Sequence, residues 1–131
     1  MDLLEKYAYS PNEEEIMSNI QAISSNLDNM SSAEVLKKCF SFMDLTTLHV
    51  NDTESSVSRL VEKANGVKDA YSGYPFPASI CVFPNFVPVV KARRCDSGIH
   101  VTAVAACFPD SQSFLEVKVR ECEMAVEAGA D

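Results

Sequence analysis

Residues 41–50 read Ser-Phe-Met-Asp-Leu-Thr-Thr-Leu-His-Val. Phe42, Met43, Leu45 and Leu48 make this stretch apolar enough for a buried β-strand. Asp44, Thr46 and Thr47 interrupt it, where a purely structural strand carries Val or Ile. A carboxylate inside a sheet must be paired or hydrogen-bonded, or its pKa moves. Polar residues near the carboxyl end of a parallel strand commonly line an active site. They equally serve to tie down a strand end and cap the next helix, and from this stretch alone both readings stand.

Downstream, Asp52 or Thr53 caps a helix whose Val57, Leu60, Val61 and Ala64 recur at helical spacing, closed by Gly66. A loop over 67–77 follows. Ala78-Ser79-Ile80-Cys81-Val82-Phe83 is a continuous apolar run of strand length, the pattern of a strand covered on both faces. Pro84 opens another helix, with Phe86, Val87, Val90 and Ala92 inward and Lys91, Arg93 and Arg94 outward. A third strand is expected over 99–106. Ser113-x-x-Glu116 then reads as a capping box for a helix that sets Leu115, Val119, Cys122 and Val126 on one face and closes at Gly129.

Upstream, Ser10, Pro11 and the acidic run Glu13–Glu15 predict a helix start, and Ile16, Ile20, Ile23 and Leu27 form its apolar stripe. Ser31-x-x-Glu34 predicts a second, short helix with Ala33, Leu36, Cys39 and Phe40 inward. The order is helix, helix, then strand–helix three times. Strands alternating with amphipathic helices predict an α/β fold with parallel pairing and right-handed crossovers. The sequence stops where a fourth strand is expected, and three parallel strands leave two open edges.

The chain has 131 residues, enough for one domain with a real core. Its net charge of −8 and pI near 4.7 argue against nucleic acid and anionic membrane surfaces as partners. They also require that any phosphate site be built locally. No apolar run approaches a membrane span, and the opening residues lack a secretory signal, so a cytoplasmic protein is expected. The five cysteines (39, 81, 95, 107 and 122) have no metal-ligand spacing to the two histidines, so no metal site is expected and free thiols are. Cys81 and Cys107 lie in strand-like settings, Cys39 and Cys122 on expected helix core faces.

Four segments in this order resemble the amino-terminal part of the deoxyribose-phosphate aldolases. They are Met43-Asp44-Leu45-Thr46-Thr47-Leu48, then Ala78–Val87, then Val101-Thr102-Ala103-Val104 with Phe108-Pro109, and finally Glu116-x-Lys118-x-x-Glu121 leading through Ala125 to Gly129-Ala130-Asp131. The resemblance implies the amino-terminal portion of a (β/α)8 TIM barrel, about three βα units preceded by two helices. Residues 31–131 would form this partial barrel and residues 1–30 an extension outside the common pattern. It also implies cleavage of 2-deoxy-D-ribose 5-phosphate to glyceraldehyde 3-phosphate and acetaldehyde through a lysine Schiff base, with no cofactor.

Carried over by the resemblance, Asp44 and Thr46 support the pocket from the first strand, Cys81 lines it from the second, and Phe108 follows the third. Similar enzymes place a glycine two residues after the Phe-Pro pair, where this chain has Ser111. The family's catalytic aspartate and Schiff-base lysine would fall beyond Asp131. A Schiff-base lysine needs a desolvated position or a neighbouring cation. The seven lysines (6, 37, 38, 63, 68, 91 and 118) all fall on predicted helices or loops, as surface residues do. His49 and His100 are left as structural or surface residues. Expected partners are a small sugar phosphate and either further copies of the chain or the remaining half of the barrel. The alternative is a non-catalytic half-barrel acting as a binding or assembly module, in which Asp44 and Cys81 are relics.

Overall fold

Three short strands pair in parallel in the order β1-β2-β3 in the computed structural model, which describes residues 3–8 and 10–131. They are β1 (Asp44–Thr46), β2 (Ser79–Val82) and β3 (His100–Ala103). All three lie within the expected stretches but are shorter, because a ladder forms only where both backbones face each other. Single bonds continue it at either end: Ala78 N donates to Met43 O at 2.9 Å, Thr47 N to Cys81 O at 3.1 Å and Val104 N to Val82 O at 3.1 Å. Phe42 and Met43 therefore precede the strand, and both are exposed. β1 is a sheet edge here, not the buried strand its apolar residues suggested.

The register sets Leu45 beside Ile80 and Ile80 beside Val101, with Val82 beside Ala103. Side chains alternate across a strand, so these residues share one face. That face is the core. Ile80, Val82 and Val101 pack with Val57, Val61 and Ala64 of α5 (Glu54–Asn65) and with Val87 and Val90 of α7 (Val87–Arg93). Each such fully buried side chain contributes about 1.5–3 kcal/mol. The α5 stripe is as expected, down to Leu60 at its margin. Thr53 is the α5 cap: its hydroxyl accepts from Ser56 N and Ser56 Oγ accepts from Thr53 N.

Several local expectations give way to tertiary packing. A short helix, α6 (Val67–Ala70), occupies the start of the expected loop, since Gly66 keeps a right-handed conformation and lets the chain continue. Pro84–Phe86 is a 3-10 turn leading into α7. Ala92 is exposed and Val89 packs in its place. Arg94 turns inward.

The final helix, α8 (Leu115–Ala128), begins after Phe114 without a side-chain cap, so the Ser113 capping box does not form. Leu115, Val119, Cys122 and Val126 are exposed, and Ala125 is the buried residue. Small residues, Ala125 and Ala128, let this helix approach its neighbours closely. Gly129, at φ 108°, ends it: Gly129 N donates to Val126 O and Ala130 N to Ala125 O. A left-handed C-terminal residue of this kind favours glycine. A β-carbon there would also stand 3.3 Å from Lys91 Cγ.

The chain divides into two compact units, Met1–Leu36 and Lys37–Asp131. The first holds α1 (Leu3–Lys6), α2 (Glu13–Ser25) and α3 (Leu27–Met30). Asn12 caps α2 by accepting from Glu15 N at 3.2 Å, so the helix starts after Pro11 rather than at it. No α2 residue is buried, and the expected stripe of Ile16, Ile20, Ile23 and Leu27 is exposed. At α4 (Ala33–Phe40) it is Ser32, not Ser31, that accepts from the first turn. Ala33, Leu36 and Cys39 are exposed there, while Val35 and Phe40 are half-buried. Among the described residues, no helix is long and apolar enough to cross a membrane.

Candidate functional site

The face of the sheet opposite the core carries the polar residues. Asp44 lies beside Ser79 and Ser79 beside His100; one layer further, Thr46 lies beside Cys81 and Cys81 beside Thr102. Alternation puts all six on one side. Ser79 Oγ donates to Asp44 Oδ1, and Thr46 Oγ1 donates to the Asp44 carbonyl at 3.2 Å. Ser79 and Cys81 are 8% and 6% exposed, whereas Asp44 and Thr46 are open to solvent. Burial and the neighbouring Asp44 carboxylate push the Cys81 thiol up, against a hydrogen bond with Thr46. Asp44, Thr46 and Cys81 thus form one cluster. Asp44 opens β1 rather than ending it, because this strand spans only Asp44–Thr46.

Phe108 stands on the loop between β3 and α8 and is half exposed. Ala106 (φ 57°), Cys107 (φ 60°) and Ser111 (φ 55°) in this loop occupy the left-handed region. Ser111 N donates to Cys107 O at 2.9 Å, closing the turn. Ser111, where the resemblance implies a glycine, thus holds a conformation in which a β-carbon is strained. Replacing Ser111 by glycine is expected to stabilise the chain by about 0.5–1 kcal/mol, the relief of strain outweighing the added freedom of the unfolded chain. Ser111→Val should destabilise it by about 1–2 kcal/mol, since β-branched residues rarely adopt positive φ. Urea midpoints at constant slope measure both, and a Ser111→Gly midpoint below the parent's would contradict the assignment.

Two polar clusters were not legible in the sequence as such. Asp52 organises the turn after β1: Thr47 Oγ1 donates to it at 2.8 Å, His49 N at 2.9 Å and Ser56 Oγ at 3.0 Å. Burial acts to raise its pKa, but these bonds and the nearby His49 prevail and hold the carboxyl below the usual range. Asp131 lies against the free edge of β3, with its N–H donating to Val101 O at 2.9 Å and its carboxylate accepting from Val101 N at 3.0 Å. Arg94 Nη1 reaches the same carboxylate at 2.7 Å and also donates to Ile99 O; the Lys91 ammonium stands 3.4 Å away. The Arg94 side chain is 9% exposed, which corrects its expected outward placement. The Val101 N–H first, and Arg94 second, hold the Asp131 carboxyl well below the ordinary carboxylate range.

All seven lysines lie on helices: Lys6 on α1, Lys37 and Lys38 on α4, and Lys63, Lys68, Lys91 and Lys118 on α5 to α8 in turn. Among the described residues no three His, Cys, Asp or Glu side chains gather as a metal site. Two grooves flank the sheet. One of about 600 Å³ runs beside β1 and is lined by Phe40, Met43, Leu45, Val67, Tyr71 and Tyr74 among others. One of about 400 Å³ runs beside β3, with Val101, Ala103, Cys122, Ala125, Val126 and Ala130 in its walls.

A human deoxyribose-phosphate aldolase is 36% identical over 107 residues, covering 72% of this chain and 33% of that protein. The chain is related to the deoxyribose-phosphate aldolases. A Caenorhabditis elegans protein assigned provisionally to the same enzyme is 33% identical over 120 residues, 89% of this chain and 39% of its own length. The deoxyribose phosphate aldolase of Aeropyrum pernix, whose structure is tetrameric, superposes with a TM-score of 0.61 at 28% identity, over 92% of this chain and 44% of that one. No protein-family model matches. The chain therefore spans between a third and a half of the length of the aldolases it matches.

Proposed function

We propose that this chain supplies the first three βα units of a (β/α)8 aldolase barrel that cleaves 2-deoxy-D-ribose 5-phosphate. Residues 31–131 belong to the barrel and residues 1–30 are an extension. Asp44, Thr46 and Cys81 line the substrate pocket from the inner face, and Phe108 borders it from the loop after β3. The supporting observation is the register that aligns Asp44 and Thr46 with Ser79 and Cys81 on the face away from the helices. In a closed barrel that face is the interior. The apolar grooves beside the two outer strands, β1 and β3, are where the adjoining strands and helices would pack. The Schiff-base lysine comes from that remaining part, in keeping with the helical positions of all seven lysines here. The protein acts in the cytoplasm and assembles as a homo-oligomer, as the tetramer of the Aeropyrum pernix relative suggests.

Borohydride trapping tests the reading. The chain alone, incubated with acetaldehyde and reduced, is expected to give no stoichiometric adduct on any one lysine. Adding the carboxyl-terminal remainder of a relative's barrel as a second polypeptide should restore turnover, with the adduct on a lysine of that remainder. Stoichiometric labelling of a single lysine in this chain at low aldehyde would overturn the assignment. So would a mixture that assembles but does not turn over.

A further inference from the structure

Glu121 belongs to a motif whose role is not explained by helix packing. It lies on α8, yet its carboxylate Oε2 accepts the Cys107 N–H at 2.7 Å, fourteen residues back in the β3–α8 loop. Its sequence neighbour Arg120 turns the other way, to Glu123 and Glu127. The bond lands on the most constrained backbone of the loop, where Ala106 and Cys107 are consecutive non-glycine residues at positive φ. Such conformations persist only where surrounding interactions over-determine them. Both backbone polar groups of Cys107 are held, its N–H by Glu121 and its carbonyl by Ser111 N. The next residue is Phe108.

We propose that Glu121 is the positioning residue of the β3–α8 loop: it holds the left-handed Ala106–Cys107 pair and so sets where Phe108 stands at the rim of the site. A hydrogen bond to a charged acceptor is stronger than a neutral one and is suited to holding strained backbone. The functional weight of this rests on the reading that Phe108 borders the pocket. The loop's anchoring does not, and is measured separately.

Alkylation of the five cysteines by iodoacetamide, resolved by mass spectrometry, reads it in the chain as it stands. Glu121→Ala is expected to raise the Cys107 rate by about tenfold, the scale of losing one such bond. Cys81, buried in β2, serves as the control for global opening and should not change. Glu121→Gln keeps an acceptor oxygen but makes the weaker, neutral bond, so its Cys107 rate should fall between those of the parent and Glu121→Ala. Three results overturn the proposal: an unchanged Cys107 rate in Glu121→Ala, Glu121→Gln as fast as Glu121→Ala, or Cys81 rising in step with Cys107. The second would mean a charge effect on the thiol, and the third a general packing role. If the anchoring holds but borohydride trapping fails, the loop assignment stands and the aldolase reading falls.

Discussion

Replacing Asp44 by alanine in the complemented barrel is expected to lower turnover by about 10²–10⁴-fold, the range for losing a group engaged in proton transfer or its support. Assembly should survive, because Asp44 is exposed and, among the described residues, its side chain is hydrogen-bonded to the Ser79 hydroxyl alone. Size-exclusion chromatography of the mixed halves checks that point in the same samples. A second readout needs no activity. The Asp44 carboxylate is one of the two influences that push the Cys81 thiol up, after burial itself. Asp44→Asn should therefore let Cys81 ionise at lower pH and react faster at a fixed pH. If Asp44→Ala prevents assembly instead, Asp44 is a strand-end residue whose role is structural. If assembly and turnover are both unchanged, Asp44 is not part of the site.

Arg94→Ala is expected to cost about 2–3 kcal/mol of stability. The side chain is almost wholly buried and its removal strips a donor from both Asp131 and the Ile99 carbonyl. The figure lies below that for fully buried pairs because the Asp131 side chain remains 30% exposed and water can partly replace the lost partner. The effect should depend on pH with a defined sign. Asp131 has a depressed folded pKa, so its contribution is fully present above its ordinary unfolded value, near 4, and is lost as the pH falls below it. The gap between the parent chain and Arg94→Ala should therefore narrow from about pH 6 toward about pH 2–3. Urea unfolding across that range measures it. A gap that is constant with pH would show that Arg94 acts through the Ile99 carbonyl and its own packing, not through Asp131.

Asp131 also illustrates how a short polar contact sets the course of the chain. The glycine turn at Gly129 delivers Asp131 to β3, where its backbone and side chain occupy both hydrogen-bonding groups of Val101. The residues that accomplish this are distant in sequence, with Arg94 thirty-seven positions away. Nothing in the spacing of Arg93 and Arg94 on an amphipathic helix distinguishes the exposed arginine from the buried one.

The sequence by itself determined the alternation of strands and helices, the α5 and sheet core, and the segment likeness to aldolases. These depend on local signals: Asp52 or Thr53 stands at a helix start, Val57, Val61 and Ala64 follow helical period, and 78–83 is apolar but for Ser79. Strand alternation also made it legible that Asp44 and Thr46 share a face. Only the tertiary structure decided that Ser79 and Cys81 stand beside them, because a one-residue change of register would turn β2 over. It also decided that α8 packs through Ala125 and leaves Leu115, Val119, Cys122 and Val126 exposed. Period identifies an apolar stripe, but close approach to neighbours selects small side chains, and the two criteria picked different faces of one helix. The left-handed Ser111 and the Glu121–Cys107 bond belong to the same class. Each is the outcome of a closure between segments, set by how the loop meets α8 rather than by the preference of any residue in it.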